Sequence, residues 1–141
     1  MAYEALTLEI ADDVATVTLN RPETLNALHA TLRRGFCSGA DLTGPRPENP
    51  PEPTWQELLD EDSWVGRQAR AVYLIDKPTI AAVNGVAAGA GMSLALACDI
   101  RVGSENTRFK TVFIERALSP DAGMTYFLPR IVGSGNALDM I

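Results

Sequence analysis

Two short glycine-rich turns carry most of the chemistry this chain is equipped to do. One is Phe36-Cys37-Ser38-Gly39-Ala40-Asp41; the other, Gly89-Ala90-Gly91, lies inside the uncharged run from Pro78 to Cys98. In the second, a β-branched run passes through glycines into a small-residue helical pattern, so the turn opens a helix. The first N–H groups of a helix have no carbonyl of their own to bond. Aimed outward, such donors hold a negative charge that develops during a reaction, and two turns supply the pair that an oxyanion hole needs. Two structural readings compete with this one. Gly85 and Gly89 form a small-xxx-small pair in an apolar run about long enough to span a membrane, although Pro78, Asn84 and the lack of flanking basic residues speak against a span. Alternatively, the glycines serve only to let a buried strand and a buried helix pack closely.

The elements that must position these turns are legible from periodicity. Residues Tyr3 to Ile10 alternate apolar and polar, and Val14 to Leu19 repeat the pattern after Ala11-Asp12-Asp13, which predicts a β-hairpin. Thr24 caps a helix through Leu25, Leu28 and Leu32. That helix runs through Arg33-Arg34 into Gly35 with no linker. Residues 43–53 are too proline-rich for regular structure. From Trp55 to Ile75 the apolar positions fit one amphipathic helix with an interruption near Gly66. A buried strand, the glycine turn and the buried helix follow, and then a short strand at Ile100-Arg101-Val102. Ser119-Pro120-Asp121-Ala122-Gly123 precedes a helix stopped or bent at Pro129. Gly133-Ser134-Gly135 opens the last one. Strands alternating with helices give an α/β class.

At 141 residues the chain is sized for a single domain, residues 1–141. Its net charge of −6 excludes a phosphate-neutralising nucleic-acid surface, while leaving room for an anionic small ligand at a local site. Cys37 and Cys98 lack metal spacing and read as free thiols in a reducing compartment, with no metal site. The N-terminus has no signal-peptide pattern, so a cytoplasmic location is expected, with no membrane partner.

Six segments, taken in order, resemble the crotonase, or enoyl-CoA hydratase/isomerase, superfamily. They are Leu19-Asn-Arg-Pro-Glu-Thr-Leu-Asn-Ala-Leu28, Phe36-Cys-Ser-Gly-Ala-Asp-Leu42, Lys77-Pro78, Ala81 to Gly91, Ala97-Cys-Asp-Ile100, and Ser119-Pro-Asp-Ala-Gly123 through Leu128-Pro-Arg-Ile-Val-Gly133. In motif the chain is most similar to isomerases of the phenylacetyl-CoA type. The resemblance implies a spiral of ββα units that binds an acyl-CoA thioester as substrate, with no other cofactor. It points the N–H groups of Ala40 and Ala90 at the thioester oxygen. It also implies coenzyme A contacts from Arg21, Ala27, Ala40 and Lys77, and assembly as a homotrimer or hexamer.

The same resemblance bears on proton transfer. Hydratases of this family carry two glutamates at positions that are Ser93 and Phe113 here, so a water addition between paired carboxylates is not expected. Asp121 is the remaining proton carrier, suited to a double-bond shift; it also stands where an N-cap is expected for a helix beginning at Ala122. Glu115 reads as a solvated or salt-bridged residue, and His29 as an exposed one. Arg21 and Lys77 are alternatively plain surface cations, and Trp55 and Trp64 either anchor their helix or wall the acyl pocket. Relative to the family pattern, a helix–strand segment after Arg34 and the C-terminal helices are absent, which makes the expected fold an incomplete one. The implied function is therefore an enoyl-CoA isomerase; the alternative is a family fragment that retains only binding or assembly.

Overall fold

The computed structural model describes residues 6–21, 26, 35–40, 52, 54–59 and 64–141. Strands β1 (Leu6–Ala11) and β2 (Val14–Leu19) form the expected hairpin, with Ala11 opposite Val14. Asp12 and Asp13 both take positive φ, 51° and 62°. That is the backbone of a two-residue turn whose twist matches its strands, and aspartate tolerates it better than most residues. Of the helix expected after Thr24, only Asn26 lies within the described residues, and its φ of 55° is not helical; Ala27, His29 and nearly all of the proline-rich segment lie outside them.

Strand β3 (Gly35–Cys37) leads into the first glycine turn, where the sequence gives a helix running straight into it. Helices α1 (Trp55–Leu59) and α2 (Trp64–Tyr73) replace the single expected helix. Gly66 lies inside α2 and does not interrupt it. Trp55 is 81% exposed, so it neither anchors α1 nor walls a pocket in this structure. The side chain of Trp64 is outside the described set.

Next come β4 (Ile80–Val83), β5 (Val86–Ala88) and α3 (Ala90–Ala97), then β6 (Ile100–Gly103), β7 (Arg108–Lys110), a 3₁₀ turn at Ile114–Arg116 and α4 (Met124–Val132). Helix α5 (Ser134–Met140) completes the order. The segments β4-β5-α3 and β6-β7-α4 are successive ββα units. Their strands pair by rank: β4 with β6, and β5 with β7, both in parallel. β3 joins the outer side of β5, also in parallel. Such pairing advances the chain by one unit per turn, which is the spiral the family pattern implies. The run 78–99 is thus divided among two strands and a short helix, and no described helix is long and apolar enough to cross a membrane.

The core forms where the units stack. Ala81, Val83, Ala87, Met92, Ala95, Leu96, Phe113, Met124, Leu128 and Ala137 make one apolar cluster. Only one face of β4 is covered: Ala81 and Val83 are buried, whereas Ile80 is 62% exposed, so the expected fully buried strand is a half-covered one. Helix α3 is nearly all buried, and it carries glycine at 91 because β3 approaches it closely there. A Cβ on Gly91 would sit 2.1 Å from the carbonyl oxygen of Cys37 and 2.8 Å from its Cβ. Helix α4 begins at Met124 and runs through Pro129 to Val132, so of the stop or bend expected at Pro129 the stop does not occur. Proline removes one helical donor, and the carbonyl that loses it belongs to Thr125, an exposed residue.

Two substitutions measure this packing. Gly91→Ala forces β3 away from α3 and is expected to destabilise the chain by about 3 kcal/mol, the upper end of overpacking costs. Gly66→Ala meets no atom within 4 Å. It should stabilise the chain by about 0.5–1 kcal/mol through helix propensity. Urea midpoints at constant m-value would check both, and a neutral Gly91→Ala would disprove the close approach.

Candidate active site

The two glycine turns, about 50 residues apart in sequence, lie side by side. Because β3 and β5 are parallel neighbours, with Gly35 opposite Val86 and Cys37 opposite Ala87, both strands leave the sheet in the same direction. Gly39 has φ of 91°, and a Cβ there would lie 2.7 Å from the Ala88 carbonyl oxygen and 3.3 Å from the Ala90 nitrogen. The first turn therefore rests directly on the start of α3. Ala40 and Ala90 are both half-buried at this junction. Ala90 is the first residue of α3, after Gly89, so its N–H has no helical carbonyl to bond. Gly89 itself is fixed from the other side, donating its N–H to Lys110 of β7 at 3.0 Å.

Asp121 reaches the same neighbourhood by a different route. Ser93, one turn into α3 and fully buried, donates its hydroxyl to the Asp121 carbonyl oxygen at 3.4 Å. That oxygen also accepts the N–H of Met124 at 2.8 Å. Asp121 is half-buried and does not cap α4: the cap position is Gly123, at φ of 85°, with no side-chain cap bond. The expected N-cap is displaced because Ala122 adopts φ of 50° and the chain makes one more turn before the helix begins. Burial pushes the Asp121 carboxyl above its ordinary value of 3.8, partly offset by its own backbone N–H.

Ser93 and Phe113, where the resemblance sets the hydratase glutamates, have no proton chemistry at neutral pH. Ser93 is buried against the Asp121 loop, and Phe113 is buried in the core cluster. Glu115 forms an exposed ion pair with Lys110 at 2.7 Å. Cys37 and Cys98 are free thiols, and burial raises the pKa of both.

The cationic candidates are not gathered at this junction. Lys77 is exposed and lies just before Thr79, whose N–H and hydroxyl both donate to the Asp99 carboxylate at 2.8 Å. Asp99 follows the C-terminal end of α3. An eight-residue helix, about 12 Å long, thus separates Lys77 from Ala90. Arg21 lies on the near side, because its segment is tied through Asn26 to Phe36 of β3. Asn26 stands within the Leu19–Leu28 motif, and nothing in its local pattern signals a contact with β3. Ala27 lies outside the described residues.

Comparison with known proteins agrees with this architecture. Residues 33–141 match the enoyl-CoA hydratase/isomerase family. The 1,2-epoxyphenylacetyl-CoA isomerase of Escherichia coli is 34% identical over 97% of this chain and 62% of its own. The short-chain-enoyl-CoA hydratase of Clostridium acetobutylicum is 33% identical over 100% of this chain and 62% of its own. The chain therefore spans 62% of the length of both relatives. A crystal structure of an enoyl-CoA hydratase from Mycobacterium avium subsp. paratuberculosis superposes with a TM-score of 0.78 at 29% identity, covering 99% of this chain and 60% of that one.

The burial of Asp121 has a stability consequence whose sign is fixed. A carboxyl with a raised folded-state pKa binds more protons folded than unfolded between its two pKa values. Stability therefore falls as pH rises above 3.8 toward the folded value, and the cost persists at neutral pH. Asp121→Asn is expected to raise Tm at pH 7, with the difference from wild type closing as the pH approaches 3.8. Thermal melts across that range read the effect; a variant less stable than wild type at pH 7 contradicts it.

Proposed function

The chain belongs to the enoyl-CoA hydratase/isomerase family, and from that premise we propose that it binds an enoyl-CoA thioester and shifts its double bond. The reading is supported by Asp121, a half-buried residue whose backbone carbonyl accepts from Ser93 one turn into α3, together with the non-carboxylate residues Ser93 and Phe113 at the positions where the resemblance sets the glutamates of the family's hydratases. In the proposed reaction the Asp121 carboxylate takes the proton from the carbon next to the thioester carbonyl. The C–H electrons form a new C2–C3 double bond through a dienolate whose charge rests on the thioester oxygen. Ala40 and Ala90 donate their N–H groups to that oxygen. The same carboxyl, now protonated, returns its proton to C4, so the C3–C4 double bond moves by one position. No water is consumed.

Each part of the site has a physical reason in this scheme. Backbone donors already fixed by sheet and helix need no reorganisation as charge develops, and one such donor is worth roughly 2.7–4 kcal/mol in well-studied cases. A carboxyl whose pKa is raised by burial is a stronger base while it is ionised. Residues at the turns must be small, so that the oxygen meets backbone. Arg21 and Lys77 are candidate partners for the phosphates of coenzyme A, which lie far from the thioester, and Lys77 fits only such a distal contact.

Asp121→Asn is expected to lower isomerisation of a 3-enoyl-CoA by about 10²–10⁴-fold, the usual contribution of a general base. Binding of the thioester, followed by ligand-induced stabilisation, should be nearly unchanged; at a hundred times Kd a ligand adds about 2.7 kcal/mol. Full turnover by the Asn variant would remove Asp121 from the mechanism, and no stabilisation of the wild type by any acyl-CoA would remove the substrate class.

A further inference from the structure

We propose that Asn26 is a positioning residue that joins the Arg21 segment and the first oxyanion strand into one frame, coupling the grip on coenzyme A to the geometry at Ala40. The proposal rests on the acyl-CoA reading above. Asn26 adopts φ of 55°, a left-handed conformation that asparagine and glycine enter most readily. Its N–H donates to the Arg21 carbonyl at 3.0 Å, and its Oδ1 accepts the Arg21 N–H at 2.8 Å, so Arg21 and Asn26 are joined by a reciprocal pair of bonds. Its Nδ2 then leaves the loop and donates to the carbonyl oxygen of Phe36 at 3.2 Å.

A turn needs only the first two of these bonds. The third serves no local purpose; it fixes the loop to β3, four residues before Ala40. Phe36 itself packs against the core cluster, so the bond connects the loop to a rigid part of the molecule. The amide is suited to the task because one end accepts and the other donates. Neither serine nor aspartate offers that pair at this span. The effect on chemistry follows from geometry: a shift of about 1 Å at a reacting group costs on the order of a hundredfold in rate. Tied to that rigid strand, Arg21 and Ala40 keep a fixed relation, so a coenzyme A held at Arg21 meets the turn at Ala40 in one geometry.

Two variants separate the contacts. Asn26→Asp keeps the acceptor for the Arg21 N–H and sets a carboxylate oxygen against the Phe36 carbonyl. Asn26→Gly keeps the left-handed backbone and removes both side-chain bonds. In Asn26→Asp, amide exchange across residues 36–40 should quicken about tenfold, the effect of one hydrogen bond, while Arg21 keeps its protection. Its kcat for isomerisation should fall about 10- to 100-fold with KM for the enoyl-CoA within about twofold, since only the transition state feels Ala40. In Asn26→Gly both segments should exchange faster and KM should rise as well. Wild-type exchange across 36–40 in Asn26→Asp overturns the proposal. So does a loss of kcat that merely follows the folded fraction measured by Tm. If the wild type turns over no enoyl-CoA, the isomerase reading fails, whereas the exchange comparison still decides whether Asn26 holds β3.

Discussion

The parallel pairing of β3 with β5, closed by the contact of Gly91 on Cys37, is the constraint on which the rest of the site depends. A parallel neighbour lies about 4.8 Å away and points the same way, so two strands that each end in a tight turn present those turns together. The register shift between Gly35 and Cys37 adjusts where the first turn emerges. Glycine at position 91 lets α3 start against the strand, and glycine at 39 lets the first turn rest on Ala88 and Ala90. Enlarging either residue pushes the two turns apart. The site is built from missing side chains as much as from those present.

Helix α3 is held at both ends, which is why its first turn can serve as a fixed point. At its start, Gly89 is bonded to β7, and Ser93 reaches the loop that carries Asp121. At its end, the Arg101 guanidinium donates to the carbonyls of Leu96, Cys98 and Asp99, where a cation is favourable to the helix dipole. Bonds from Thr79 hold the Asp99 carboxyl below its ordinary value. A helix that is apolar around its whole circumference has no solvent face. It takes its orientation from these few polar contacts and from packing against α2, α4 and the strands β3 and β5.

Asp121 illustrates how tertiary structure takes a residue out of the role its local sequence offers. Local sequence offers it as a helix cap, and the added turn through Ala122 and Gly123 takes the helix start away from it. Its backbone is committed to Ser93 and Met124, while its carboxyl is left in a partly desolvated position. Much of the remaining apolar surface is unshared. Ile10, Val14 and Val17 of the hairpin and Ile80, Ile100 and Val102 of the β4–β6 pair are exposed. The cohesive part of the chain is therefore the pair of ββα units and the helices that follow them, where α3 touches nearly every layer.

The sequence by itself determined what short-range chemistry encodes. Glycine and small-residue spacing marked both turns, alternation marked the hairpin, and the order of motifs identified the family and its spiral. The identities of Ser93 and Phe113, on which the isomerase proposal draws, were likewise legible, because they need no contact to read. Tertiary structure alone decided what depends on contacts between distant segments. It set β3 beside β5, let α2 run through Gly66, moved the start of α4 to Met124, placed Lys77 at the far end of α3 and joined Asn26 to Phe36. Local patterns fix a residue's conformational preferences within one or two turns of chain. They carry no information about which strand edge or carbonyl a polar group meets after the chain has folded back, and that meeting is what turns two separate glycine turns into one site.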